Sequence, residues 1–226
     1  MNDIPSGNYR SALHGQVRPP FPYSNKGVVH ARPGISGYFL SVDMCPSHKS
    51  FETSLFQNPR LNAKGHFPLA ISISGGWIKH HKSELAWLKS QDQNGRFDIT
   101  WVNHSFTHPY DRSLPDNINF LLLPNVNFND EIFKQEQYMI SNGLTPSVYF
   151  RFPGLVSDEK MIEDLASYGL ISLGADAWLA LGEKPTPGSI ILIHGNGNEP
   201  PGIHLFLKFL DKITNLDQLK ALSELF

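Results

Sequence analysis

The feature that most constrains this chain is an alternation. Short apolar runs at residues 38–42, 69–74, 98–102, 148–150, 170–173 and 189–193 are separated by longer stretches. Their β-branched and aromatic content and their Gly, Pro or Asn borders mark strands rather than buried helix segments. Between them, residues 82–93 and 130–141 carry mixed charge with apolar residues at helical spacing, and Ser157-Asp158-Glu159 reads as an N-cap with acid in the first turn. Residues 205–226 read as one or two closing helices, with Asn215 as a cap. Strands alternating with helices predict a parallel sheet with crossover helices. The polar residues that close the runs, Asp43, His104, Arg151, Asp176 and His194, come from five different strands. A closed barrel brings every strand's carboxyl end to one mouth, whereas an open sheet gathers its site at one switch point. The expected fold class is therefore α/β, a distorted (β/α) barrel.

A barrel of this kind can use all 226 residues as one domain. Residues 1–36, with Arg18-Pro19-Pro20-Phe21-Pro22 and Arg32-Pro33-Gly34, are too rich in Pro and Gly for regular elements and are expected as an extended N-terminal arm. Residues 37–226 are expected as the single catalytic domain. The net charge is −2 and the basic residues are scattered, so the positive stripe that nucleic acid or an anionic membrane requires is missing. No run approaches the ~18 apolar residues of a membrane span, and no basic segment followed by an apolar one opens the chain. The expectation is no membrane insertion and a neutral substrate. Cys45 is the single cysteine, which precludes a disulfide within the chain. The oligomeric state is left open.

His104 and His108 leave the same strand end four residues apart, a spacing at which two imidazoles can share one metal ion. With the segments Ser41-Val42-Asp43-Met44-Cys45-Pro46, His104-Ser105 through His108, Arg151-Phe152-Pro153-Gly154, Asp176-Ala177-Trp178 and Leu192-Ile193-His194, the chain resembles the polysaccharide deacetylases of the NodB-homology family. Those motifs follow one another in the family's order, from about Tyr38 to about His194. The resemblance implies a distorted (β/α) barrel of the polysaccharide deacetylase type, and a hydrolase that removes acetyl groups from an N- or O-acetylated glycan. It also implies export to the cell envelope.

By the same resemblance, a divalent metal, zinc with cobalt or nickel as alternatives, is held by His104 and His108, with Asp43 as a further ligand. Asp43 matches the family's base and His194 its acid. Gly154, where the family has Tyr, offers a backbone N–H to the oxyanion. Arg151 is expected to hold Asp43 ionised and aimed, Asp176 to balance Arg151, and Trp178 and Leu192 to wall the acetyl methyl. The principal departure is Met44, which stands where the family places a metal-binding carboxylate, and a thioether is a poor ligand for hard divalent ions. Three repairs are open: direct ligation by Asp43, recruitment of Cys45 or His48, or water. Two further readings compete, a related hydrolase of small amides and a glycan-binding barrel that has lost its metal. His66, His80, His81 and His204 are assigned no role.

Overall fold

The computed structural model describes residues 27–226. Its centre is a parallel sheet of seven strands: β1 Phe39–Met44, β2 Phe67–Ile73, β3 Phe97–Asn103, β4 Tyr149–Phe150, β5 Ile171–Ser172, β6 Ala177–Trp178 and β7 Ile190–His194. The order across the sheet is β5-β4-β3-β2-β1-β7-β6. Parallel pairing needs crossovers, and helices supply most of them: α1 Pro59–Lys64, α2 Gly75–His80, α3 Lys82–Gln93, α4 Phe128–Ser141 and α5 Glu159–Ser167, while α6 Pro200–Leu210 follows the last strand. The sheet curls into the distorted barrel that the sequence predicts. Its open side is stapled by the segment before β1: Val28 bridges Leu173 beyond β5, and His30 bridges Ser189 before β7. That segment is the described end of the predicted arm, whose residues 1–26 lie outside the described residues.

Successive strand side chains point to opposite faces, and this period of two sorts the core into layers. Leu40, Val42 and Met44 of β1, Leu69, Ile71 and Ile73 of β2, and Ile191 and Ile193 of β7 face outward, packing with Trp77, Ile78, Leu85, Leu88 and Phe206 from the helices. Phe39, Ala70, Val102, Tyr149, Ile171, Ile190 and Leu192 face inward and fill the barrel. Each fully buried aliphatic or aromatic side chain contributes about 1.5–3 kcal/mol. Continued upward, the inward parity passes from these apolar layers to Asp43 on β1 and His194 on β7, and to His104 and Arg151 one residue beyond β3 and β4. The barrel interior is thus apolar below and polar at its mouth.

Local chemistry explains where the helices start. Asn127 accepts from Asp130 N to cap α4, and Asp158, one residue beyond Ser157, accepts from Met161 N to cap α5, with Glu159 in its first turn. The closing stretch differs from expectation. Its helix runs Pro200–Leu210, and beyond it lie short 3₁₀ turns, one of them capped by Asn215, and a bridge from Leu219 to Tyr38. Pro200 occupies the first turn of that helix, where its missing N–H costs nothing. Among the described residues no helix is long and apolar enough to cross a membrane.

Candidate active site at the barrel mouth

Asp43 and His194 are register partners on the adjacent strands β1 and β7, so their side chains stand side by side on the inner face. Asp43 is 4% exposed, yet its Oδ1 has no hydrogen-bond partner. Its carboxylate lies between Arg151 and His104: Oδ1 is 3.7 Å from the guanidinium and Oδ2 is 3.7 Å from His104 Nε2. Arg151 is fully buried and anchored by donation to Ser41 Oγ at 2.9 Å and Gly174 O at 3.2 Å. Burial lowers the Arg151 pKa, while Asp43 and Cys45 work in the opposite direction. A buried guanidinium needs an anion, and Asp43 is the one it faces.

The two histidines are held by different means. His104 Nδ1 lies 2.8 Å from Arg151 O; donation to that carbonyl leaves Nε2 unprotonated and turned to the mouth. There Nε2 meets Cys45 Sγ at 3.5 Å. His108 packs edge-on against His104, ring centroids 4.7 Å apart, and its buried Nε2 has no partner. One donor atom each from Cys45, His104 and His108 lie within 4.8 Å of one another. Three donors that converge on one point, one of them buried and unsatisfied, fit a divalent metal.

The electrostatics of this cluster are coupled. Burial alone would raise the Cys45 thiol, but His108, His194 and His104 together hold it well below its ordinary value. Burial likewise opposes a charge on His194, yet Cys45, Glu199 and Asp43 hold that ring well above the ordinary imidazole range. His104 is raised against burial by Asp43, Cys45 and the Arg151 carbonyl.

Backbone strain collects here as well. Of the non-glycine residues with positive φ, Ser105 (65°), His108 (50°), Phe120 (55°) and Leu155 (57°) all lie in or next to the mouth. Such conformations cost of order 1–3 kcal/mol each and persist only where surroundings impose them. Glu131 of α4 is what imposes the His108 turn: it accepts from Thr107 N at 2.8 Å, Thr107 Oγ1 at 2.6 Å and His108 N at 3.3 Å. Glu131→Ala is expected to weaken zinc binding by about 10–100-fold, the usual cost of removing a group that orients a ligand. Calorimetric titration checks this, and an unchanged affinity would detach Glu131 from the site.

Several sequence expectations are corrected. Asp176 does not balance Arg151. It precedes β6 rather than closing a strand, level with Ile190 and about four residues, ~13 Å along β7, below His194. Its carboxylate is taken instead by His30 Nδ1 at 2.6 Å and Ile190 N at 3.1 Å. Met44 leaves no gap in the mouth, because strand parity points it outward into the helix-packed layer, where its methyl underlies Gly195. His48 is exposed and packs at a tilt against His80, ring centroids 4.1 Å apart, and is not among the convergent donors.

The other expected residues fall around the mouth. Trp178 packs on the His194 ring at 5.5 Å and donates Nε1 to Glu199 Oε2 at 2.9 Å. Leu192 lies on the inner face two residues below His194. Gly154 adopts φ 61°, and a Cβ there would come 2.3 Å from the Phe120 ring. Phe120 therefore fills the space a side chain at position 154 would take, which accounts for glycine where the resembled family has Tyr. Sequence reasoning missed Glu131 and the hold of Glu199 on His194. Glu199, five residues beyond His194 and just before Pro200, holds His194 Nδ1 at 2.7 Å and carried a readable signal as the residue preceding a proline-started helix. Glu131 had none beyond its place in a helix.

No family model matches the chain. Solved structures do. A family 4 carbohydrate esterase from Bacillus anthracis superposes with a TM-score of 0.64 at 18% identity, over 98% of this chain and 93% of that one. The family 4 carbohydrate esterase PdaA of Bacillus subtilis gives 0.62 at 15% identity, over 100% and 92%. A family 4 pseudoenzyme from Bacillus anthracis gives 0.57 at 16% identity, over 89% and 69%. The chain has the fold of the family 4 carbohydrate esterases.

Proposed function

We propose that this protein is a metal-dependent hydrolase that removes acetyl groups from an N- or O-acetylated polysaccharide or oligosaccharide. The observation that carries the reading is the pairing of Asp43 with His194 across β1 and β7, beside the convergent donors of Cys45, His104 and His108. A hydrolase of amides or esters needs an activated water, a stabilised oxyanion and a proton for the leaving group. When bound at these donors, a divalent ion supplies Lewis-acid polarisation of the acetyl carbonyl and acidifies a water.

The chain's own residues supply the remainder. Asp43, aimed by the Arg151 guanidinium 3.7 Å away, takes the proton of the attacking water. His194, whose pKa Cys45, Glu199 and Asp43 hold high against burial, gives its proton to the departing nitrogen or oxygen. The Gly154 N–H, at the turn covered by Phe120, is a main-chain donor for the oxyanion. Trp178 and Leu192 wall the acetyl methyl.

Two features support a glycan. Tyr110 is 53% exposed and stacks on Phe120, ring centroids 5.1 Å apart, next to His108. An exposed aromatic face beside the reacting groups suits the apolar face of a sugar ring. The solved structures it resembles are family 4 carbohydrate esterases, and a wall polymer in the cell envelope is the corresponding substrate and place. The metal-free binding reading is weakened because Cys45 offers a third donor beside His104 and His108 where the carboxylate is missing.

The test is acetate release by zinc-, cobalt- or nickel-reconstituted protein from chitooligosaccharides, peptidoglycan and a small N-acetyl amide. Release from the glycans is expected. Release from the small amide alone would move the assignment to a C–N hydrolase of metabolites, and bound metal without release from any of them would move it to a binding protein.

Glu199→Gln separates proton supply from binding. Glu199 raises the His194 pKa, and an acid works only below its pKa, so the alkaline limb of kcat/KM marks that proton's loss. Without the carboxylate charge the limb is expected to move to lower pH, with turnover falling toward the lower end of about 10²–10⁴-fold. An unmoved limb would remove Glu199 from proton control.

A further inference from the structure

We propose that Cys45 is the third protein ligand of the metal held by His104 and His108, making the centre a Cys-His-His site suited to zinc. This deepens the metal-dependent reading above and rests on it. Position 45 is chosen by strand parity. Along β1 the side chains of Ser41 and Asp43 point inward while those of Leu40, Val42 and Met44 point outward into the helix-packed layer. Position 44 supplies no donor in this backbone, and the next residue turns back to the mouth. Asn196 fixes it there by donating Nδ2 to Cys45 O at 3.1 Å, and Gly195 N donates to Asp43 O at 3.1 Å.

Distances agree. Ligands at about 2.0–2.3 Å from a tetrahedral zinc lie about 3.3–3.8 Å from one another. Cys45 Sγ and His104 Nε2 are 3.5 Å apart, and His108 completes a cluster with every donor within 4.8 Å of the others. His104 is already oriented through its other nitrogen by Arg151 O, and the buried His108 Nε2 awaits a partner. Asp43 is the competing donor, at 3.7 Å from His104 Nε2, but its other oxygen faces Arg151. The division leaves Asp43 to proton transfer and gives the metal a soft ligand. Thiolate with two imidazoles selects zinc over magnesium, calcium or manganese, which favour oxygen.

The experiment reads the ligand and not the reaction. Full-length protein stripped with chelator receives one equivalent of cobalt(II), and absorption is recorded in the near ultraviolet, where sulfur-to-cobalt charge transfer appears. The wild type should show the band. Cys45→Ser should lose it and bind zinc at least about 100-fold more weakly, beyond the loss from an orienting group alone. Cys45→Asp should regain metal binding without the band, and Asp43→Asn should keep both band and metal. Cys45 is the only thiol in the chain, so protection is also readable without any variant: zinc should slow its alkylation. No band in the wild type, a band retained in Cys45→Ser, or alkylation unaffected by bound zinc overturns the proposal. Loss of metal in Asp43→Asn with the thiol still freely alkylated assigns the third position to Asp43. Acetate release is scored separately: a band without release keeps Cys45 as ligand and removes the deacetylase reading, and release without a band does the reverse.

Discussion

His104→Ala is expected to remove bound metal and acetate release together. His104 is 1% exposed, and its two nitrogens do different work. Nδ1 ties the end of β3 to the Arg151 carbonyl, while Nε2 faces Cys45 and Asp43. Alanine removes the donor that stands at the centre of the cluster, and metal assistance to acyl transfer is worth several kcal/mol. At 1.36 kcal/mol per tenfold, that is a fall of about 10³-fold or more. Elemental analysis and an acetate assay on the same preparation check it, with circular dichroism to establish the fold. The informative contrast is His194→Ala, which should keep its metal and lose turnover, because His194 is bound to Glu199 and placed to move a proton. Full metal content in His104→Ala would place the ion elsewhere, and wild-type turnover in His194→Ala would end its role as acid.

The second large effect is on stability. Arg151→Met keeps volume in a fully buried position but leaves Asp43, itself nearly buried, without the cation 3.7 Å from it. Breaking a buried pair by removing one partner costs about 3–5 kcal/mol. For a domain of this size each kcal/mol moves Tm by about 2–4 °C, so a fall of about 6–20 °C is expected. Adding Asp43→Asn removes the uncompensated charge and should recover most of that loss while leaving the protein inactive. The cycle thus separates the pair's contribution to folding from its contribution to chemistry. A single variant that melts within about 2 °C of wild type would mean that Asp43 is screened by something other than Arg151.

The sequence carried the barrel because strands with both faces covered read as apolar runs, and all six runs correspond to strands with ends moved by at most two residues. β6, Ala177–Trp178, is two residues long and too short for periodicity to mark. The misplacement of Asp176 follows from that: an unseen strand has no legible end, so a residue preceding it read as one closing its predecessor. α2, Gly75–His80, opens on two glycines, the poorest helix formers after proline. It forms because Ser74 caps it and Trp77 and Ile78 bury against the sheet. Asp43, His104, Arg151 and His194 were legible because each continues the inward parity at a strand's carboxyl end. Cys45 was legible only as one of several repairs, since choosing it over Asp43 or His48 required knowing that Met44 turns outward. Glu131 reaches the mouth from a helix packed across the barrel, through tertiary contact that no local pattern encodes.

The most direct test of the account is a zinc titration of chelator-stripped protein with acetate release from chitooligosaccharides as the readout. The account predicts no release without metal, a rise in proportion to added zinc, and a plateau at one equivalent. Full release from stripped protein, or one equivalent of zinc bound with no acetate formed from any glycan, would contradict it.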